Sequence, residues 1–364
     1  MRYNPKLILI LILLLALALR LPNLTDSEYG TDEDLSILDA RLINDSPFGT
    51  YLYKPLPTEV NPPLFFHILA LALFVKDSVA TLKILMVIIG LLGIMAFYML
   101  AKRLFNEKIA LFSTFLYAIN PMHIIYSQHI RSYIFLFFLF ALSLYFLHKF
   151  LFEQDSKSLF YLGLTYFLSI YSHYHTMLFM AGGLATVLLF YWQNKNTKLK
   201  DYIILGITIF ILAIPSMIFL WQQFSVFSAL GGTDVWPKLT PTVAFYPLWK
   251  YSVMTDVSTT KENFPYLFAL FPLLIGFAVY GSFLLYKQHK EEFIFIITNL
   301  SVPYIIFTIA GTIWPIYSFR YITYLLPLYV LLYSYGLFKI KNKYLKLVLL
   351  FASIIGWSIV IFYY

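Results

Sequence analysis

Eight of the chain's 18 acidic residues crowd between Thr25 and Glu59: Asp26, Glu28, Asp32, Glu33, Asp34, Asp39, Asp45 and Glu59. A carboxylate can take a proton from an attacking hydroxyl, and helix capping accounts for only one or two of the acids in Asp32-Glu33-Asp34. Cations suited to phosphate stand elsewhere. Arg131 lies in Tyr126-Ser127-Gln128-His129-Ile130-Arg131-Ser132-Tyr133, and Arg320 in Trp314-Pro315-Ile316-Tyr317-Ser318-Phe319-Arg320-Tyr321. A guanidinium presents a planar fork that matches phosphate oxygens. Ser172-His173-Tyr174-His175 adds two more imidazoles to His129. A base and phosphate-holding cations suffice to move a sugar off a lipid-linked phosphate, because the phosphate leaves without a general acid. A glycosidase would instead need two carboxyl groups flanking the bond.

The elements that must position these residues are apolar. Of 364 residues, 60% are hydrophobic and 12% charged, far from the roughly 25% charged of a water-soluble domain. This excludes a soluble enzyme. An all-α polytopic membrane protein follows, with about eleven spans of the length the hydrocarbon layer requires. They begin with Leu7 to Leu19, which reads as an anchor more than a cleaved signal. The others are Leu82 to Ala101, Ala110 to Tyr126, Tyr133 to Phe150, Leu159 to Tyr171, Met177 to Trp192, Tyr202 to Trp221, Tyr266 to Tyr286, Phe293 to Thr312, Tyr321 to Phe338 and Leu345 to Phe362. The net charge of +8 does not call for nucleic acid, since Lys and Arg collect in cytoplasmic loops for topological reasons. With the N-terminus inside, sixteen of the 26 basic residues fall on inner segments. That orientation places residues 23–81 and 224–265 outside, as the long non-spanning loops of one domain, 1–364. With no Cys there is no disulfide framework, thiolate zinc site or cysteine nucleophile.

Within the first outer loop, Leu35, Leu38, Leu42 and Ile43 recur at helical spacing, which predicts an amphipathic helix along the membrane surface from Asp34 to Asn44. Asp32 and Glu33 stand at its N-terminus. Further on come Lys54 among tyrosines and prolines, then Asn61 and Pro62-Pro63 ahead of Leu64 to Val75, an apolar run too short to span. Arg131 and Arg320 lie outside despite the positive-inside bias, and an ionisable group at the membrane edge is a functional candidate. The late loop, with Gly231-Gly232-Thr233-Asp234, is either a cover for a substrate or an inert surface segment. Asn23 and Asn44 begin glycosylation sequons on the outer side.

At these residues the sequence resembles the GT-C superfamily of polyprenyl-phosphate-sugar-dependent glycosyltransferases, in the dolichyl-phosphate-mannose protein mannosyltransferase-like and aminoarabinose-transferase-like branch. The resemblance rests on Asp32-Glu33, Pro62-Pro63-Leu64, Tyr126 to Tyr133, His173-Tyr174, and Arg320-Tyr321 with Pro327. It implies the GT-C fold and an inverting displacement on the extracytoplasmic face, with Asp32 as base and Glu33 positioning the acceptor or Asp32. Arg131, Arg320, Lys54 and Tyr321 would hold the donor phosphate, and His129, His173, His175 and Asn61 would touch acceptor or sugar. The implied partners are a polyprenyl- or dolichyl-phosphate sugar, a protein, lipid or glycan acceptor, and membrane lipids. The family often has Glu where His129 stands and His where Asn61 stands, which puts those contacts in doubt. No cofactor is required. Asp32 and Asp34 nonetheless spell the Asp-x-Asp that binds a divalent cation in other glycosyltransferases, so a metal is the alternative.

Two other functions compete. A transporter or flippase of polyprenyl-linked glycans would bind substrate near the midplane through buried charges, but the spans carry almost no ionisable residues. An O-antigen polymerase or ligase would place its longer loop late in the chain, whereas the acid-rich loop follows the first span.

Overall fold

The computed structural model describes residues 4–22, 24, 31–47, 49–50, 56, 61–193, 198–229, 267–313 and 318–363. Lys54, Asn23, Asp26, Glu28, Glu59 and most of the late loop lie outside them. The described residues form helices and short 3₁₀ turns, with no strand among them. Local chemistry sets most boundaries. The first helix, α1 (Pro5–Ala18), starts at a proline behind Asn4, whose side chain accepts from Lys6 N and Leu7 N. Next, α2 (Thr31–Asp45) opens on Asp32, Glu33 and Asp34, where three carboxylates meet the positive end of the helix dipole. Pro62 and Pro63 then admit α3 (Leu64–Val75), the short helix expected there.

The long α4 (Val79–Leu104) follows, capped by the Ser78 hydroxyl on Thr81 N. Instead of one span from Ala110 to Tyr126, the chain makes α5 (Glu107–Ala118) and α6 (Pro121–Tyr126). The physical reason is Pro121: its ring pushes Asn120 out of the helical region to ψ 126°, and Asn120 then caps the new helix through His123 N. After α7 (Tyr133–Glu153) the chain turns through Gln154, at φ 52°, into α8 (Ser156–Ile170). A 3₁₀ turn (Tyr174–Thr176) leads to α9 (Met177–Trp192). Beyond it, α10 (Leu199–Ala229) runs past the expected end at Trp221, so residues 224–229 are helix rather than loop. The remaining helices are α11 (Leu267–Gln288), α12 (Lys290–Ile313), α13 (Leu326–Phe338) and α14 (Lys343–Tyr363). The expected span from Tyr321 begins instead as a seven-residue 3₁₀ segment, Phe319–Leu325, and becomes α-helical at Leu326 with Pro327 in its first turn.

Six helical stretches among the described residues are long and apolar enough to cross a membrane. The expectation of about eleven crossings counts shorter helices too, such as α1 with 14 residues and α8 with 15. The centre is α13, buried along nearly its whole length, with α5, α7, α11, α12 and α14 against it. Where α11 meets α13 the backbones touch: a Cβ on Gly281 would sit 2.0 Å from the Leu332 carbonyl, and one on Gly336 2.2 Å from that of Phe277. Between α9 and α12, Asn299 Nδ2 donates to Thr186 Oγ1 at 2.8 Å beside Gly182. Large apolar side chains such as Ile207, Phe210 and Ile214 face outward from α10, as a helix solvated by hydrocarbon requires.

The two ends of the bundle differ. At one end are Lys102, paired with Glu107 at 2.7 Å, Arg103 with Glu153, and Lys149 with Asp155 at 3.2 Å. At the other end of α4, about 39 Å away by helical rise, lie α2, α3 and the turns before α7, α9 and α13. There Asn44 Nδ2 donates to the Ala70 carbonyl at 2.9 Å and Leu64 N to the Tyr171 carbonyl at 3.0 Å, which ties α2 to α3 and α3 to the end of α8.

Candidate active site

Asp32 sits on the first turn of α2, and its carboxylate Oδ2 accepts from Arg320 Nη1 at 2.5 Å. The acid side chain is 48% exposed and the arginine 34%, so the pair lies at the surface and remains reachable. The 3₁₀ geometry of Phe319–Leu325 presents Arg320 here, with Ser318 Oγ accepting from Nε at 3.3 Å. Arg131 approaches from the other side. Its Nη1 donates to the Asp32 backbone carbonyl and to Ser36 Oγ, both at 2.9 Å. One carboxylate and two guanidiniums from residues as far as 288 positions apart thus converge on a single turn of helix.

Glu33 points the opposite way. It is buried, and its Oε1 accepts from Lys83 Nζ at 3.0 Å and from Ile130 N at 2.6 Å. Lys83 also donates to the Gln128 carbonyl at 2.6 Å. The face of α2 turned inward carries Glu33, Ser36, Ile37, Asp39 and Ala40, whereas Leu38 of the expected apolar stripe is exposed. Polar residues occupy the inner face because they hold the site. Lys83 is the residue that sequence reasoning passed over. A lone Lys one turn into an otherwise apolar helix was the available signal, and it qualifies the reading of spans without ionisable groups.

The third wall is aromatic. Tyr321 stacks on His175 with ring centroids 4.4 Å apart, and His173 lies 5.4 Å from Tyr321 and 6.0 Å from Tyr133. Tyr133 is buried beside His173, with the Tyr126 ring 5.2 Å away centroid to centroid. His173 is buried, and its Nε2 has no hydrogen-bond partner among the described residues. Burial, with the nearby His175 and Arg131 adding to it, pushes the His173 imidazole well below its ordinary range, so the ring is neutral. His129 is half-buried against Tyr126, ring centroids 5.9 Å apart, and Asn61 is half-buried ahead of α3.

A second fully buried cation, Arg20, lies against Ser127 and His123. It donates to the carbonyls of Ala16 and Ala118, to Ser127 Oγ and to His123 Nδ1, the last at 2.8 Å, while Gln128 Nε2 donates back to the Arg20 carbonyl at 3.1 Å. These bonds fix the segment that carries Arg131. For a metal, no group of three or more His, Asp or Glu ligands occurs among the described residues. Of the Asp-x-Asp pair, Asp34 is exposed and Asp32 is paired with Arg320.

Residues 60–221 match the family model of dolichyl-phosphate-mannose-protein mannosyltransferases. Asp32 and Arg320 flank that stretch on either side. No curated protein sequence matches the chain. Among solved structures, the archaeal oligosaccharyltransferase AglB from Archaeoglobus fulgidus, in complex with an inhibitory peptide and a dolichol-phosphate, superposes with a TM-score of 0.64 at 14% identity, covering 99% of this chain and 55% of that one. ArnT from Cupriavidus metallidurans in the apo state gives 0.67 at 13% identity over 93% of this chain and 61% of that one. The same protein bound to undecaprenyl phosphate gives 0.60 at 13% identity, over 98% and 62%. The chain spans little more than half the length of these structures. The chain thus shares the overall fold of AglB and ArnT, and its residues 60–221 carry the sequence pattern of the dolichyl-phosphate-mannose-protein mannosyltransferase family.

Proposed function

We propose that the protein is an integral membrane glycosyltransferase that moves a sugar from a polyprenyl- or dolichyl-phosphate donor to an acceptor hydroxyl on the extracytoplasmic face. The observation that carries this reading is the convergence of the Asp32 carboxylate with Arg320 and Arg131 at the end of the bundle opposite Lys102, Arg103 and Lys149. In the proposed step Asp32 takes the acceptor's proton as the hydroxyl oxygen bonds to the anomeric carbon. The bond from that carbon to the phosphate oxygen breaks with its electron pair, inversion results, and polyprenyl phosphate leaves against the guanidiniums. Arg320 has two claims on it. A donor phosphate that binds this guanidinium competes with Asp32 for it, and the carboxylate so released is the free base the reaction needs. His173, held neutral, and the Tyr321–His175 stack offer a wall for a sugar ring.

The fold supports the donor class: AglB and ArnT have been seen with dolichol-phosphate and undecaprenyl phosphate respectively. The reaction as written uses the chain's own cations and should be insensitive to EDTA. Reconstitution in vesicles with a panel of polyprenyl-phosphate sugars, following release of polyprenyl phosphate, tests it. Turnover is expected with at least one donor, and Asp32→Asn should abolish it while leaving polyprenyl-phosphate binding intact. Asp32→Asn protein turning over at the wild-type rate would remove the base assignment.

A further inference from the structure

Lys83 is a cation with 1% of its side chain exposed, and Glu33, its partner at 3.0 Å, has 8%. Taking both charges out of water is costly, and either one left alone in that place would be costlier, so the pair has one arrangement and no cheap alternative. Its bonds run across three elements. Lys83 on α4 reaches the Gln128 carbonyl, Glu33 on α2 reaches Ile130 N, and the two side chains meet. The chain neighbours of the two anchored positions are the reactive ones. Asp32 precedes Glu33, and Arg131 follows Ile130.

We infer that Glu33 and Lys83 are a positioning pair that touches no substrate and sets the separation between Asp32 and Arg131. The inference rests on the transferase reading above and deepens it, since it assigns Glu33 away from the acceptor and gives Lys83 a role. Side chains that act together on one anomeric carbon must be held to within about 0.5 Å, and an exposed helix turn on a long loop does not supply that by itself. A buried charge pair bonded to two backbone groups does. Glu33→Gln keeps an oxygen for Ile130 N, and Lys83→Met keeps the stem while giving up the bond to the Gln128 carbonyl, so the double variant keeps the tie from α2 to Ile130 while removing both charges.

The test compares Glu33→Gln, Lys83→Met and the double variant with wild type, each in vesicles. It uses the donor that wild type turns over and free polyprenyl phosphate as the binding probe. Each single variant strands one buried charge, and its kcat should fall by about tenfold or more, with the Kd for polyprenyl phosphate moving by less than about threefold. The double variant should recover to within about threefold of the wild-type kcat. If the double variant stays as slow as Glu33→Gln, the Glu33 carboxylate itself meets substrate and the inference is wrong. Lys83→Met at the wild-type rate overturns it too, as does a double variant that fails to accumulate, because the neutral pair is expected to keep α2 docked. Should a single variant not fold, the double variant alone decides. Wild type inert toward every donor would instead sink the transferase reading, an outcome distinct from any pattern among the variants.

Discussion

At the residue scale, adjacent positions on α2 have opposite duties. Asp32 is half-exposed and meets Arg320, while Glu33 is buried with Lys83. Arg131 donates to the Asp32 carbonyl and Ser36 Oγ, and the Asp32 carboxylate accepts from Arg320. Ser36→Ala should therefore loosen Arg131 without removing its charge, and kcat/KM is expected to drop by about 1 kcal/mol, roughly fivefold. Arg131→Ala should cost more, and the ranking of the two in one donor-saturation experiment checks the geometry. His173 gives a pH prediction. Its folded-state value lies well below the ordinary 6.5 because of burial. The unfolded chain therefore binds the proton first, and stability is fully present above the ordinary value and is lost as pH falls below it. Thermal unfolding midpoints between about pH 8 and 5 should decline more steeply for wild type than for His173→Gln.

At the element scale, helix existence and most helix ends were legible: Leu64 to Val75 and Met177 to Trp192 appear as α3 and α9 with those limits. The break at Asn120 was not, because an apolar run through Ala118 and Pro121 satisfies the hydropathy of a span while the proline's steric demand acts on one residue. The 3₁₀ start of the last central helix was hidden for a similar reason, and it matters more because it aims Arg320. The α11–α13 crossing depends on two glycines that face each other's backbones. Gly281→Ala should overpack this contact and destabilise by about 1–3 kcal/mol or more. Gly276→Ala on the same helix, where an added Cβ meets nothing within 4 Å, should be neutral or slightly stabilising. Unfolding midpoints of the two variants in the same detergent separate crossing geometry from helix propensity.

At the scale of the whole molecule, the bundle holds Lys102, Arg103 and Lys149, each paired with an acid, at one end and gathers Asp32, Lys83, Arg131, His173 and Arg320 at the other. Lys83 and Lys102 on the one helix α4 are about 29 Å apart by helical rise, close to the thickness of a hydrocarbon core. The orientation proposed puts the site outside. Since the chain has no cysteine, single cysteines can report it without background. Leu38→Cys should react with an impermeant maleimide added to intact cells, and Lys102→Cys should react only after the membrane is opened. The reverse pattern would place the reaction on the cytoplasmic side.

Composition and periodicity by themselves determined that this is a helical membrane protein, because apolar length against the hydrocarbon layer is a one-dimensional property. Residue types likewise marked Asp32, Arg131 and Arg320, since a carboxylate in an acidic arm and arginines at span ends stand out from their surroundings. Only the tertiary structure decided how they are used. Arg320 is 288 positions from Asp32 and Lys83 is 50 from Glu33, and no local pattern encodes which charge will find which partner. That choice follows from packing α2 and α4 against the segment before α7, with the 3₁₀ turn closing over them. For Glu33 and Lys83 the cost of an unpaired charge in a low-dielectric interior selects one pairing.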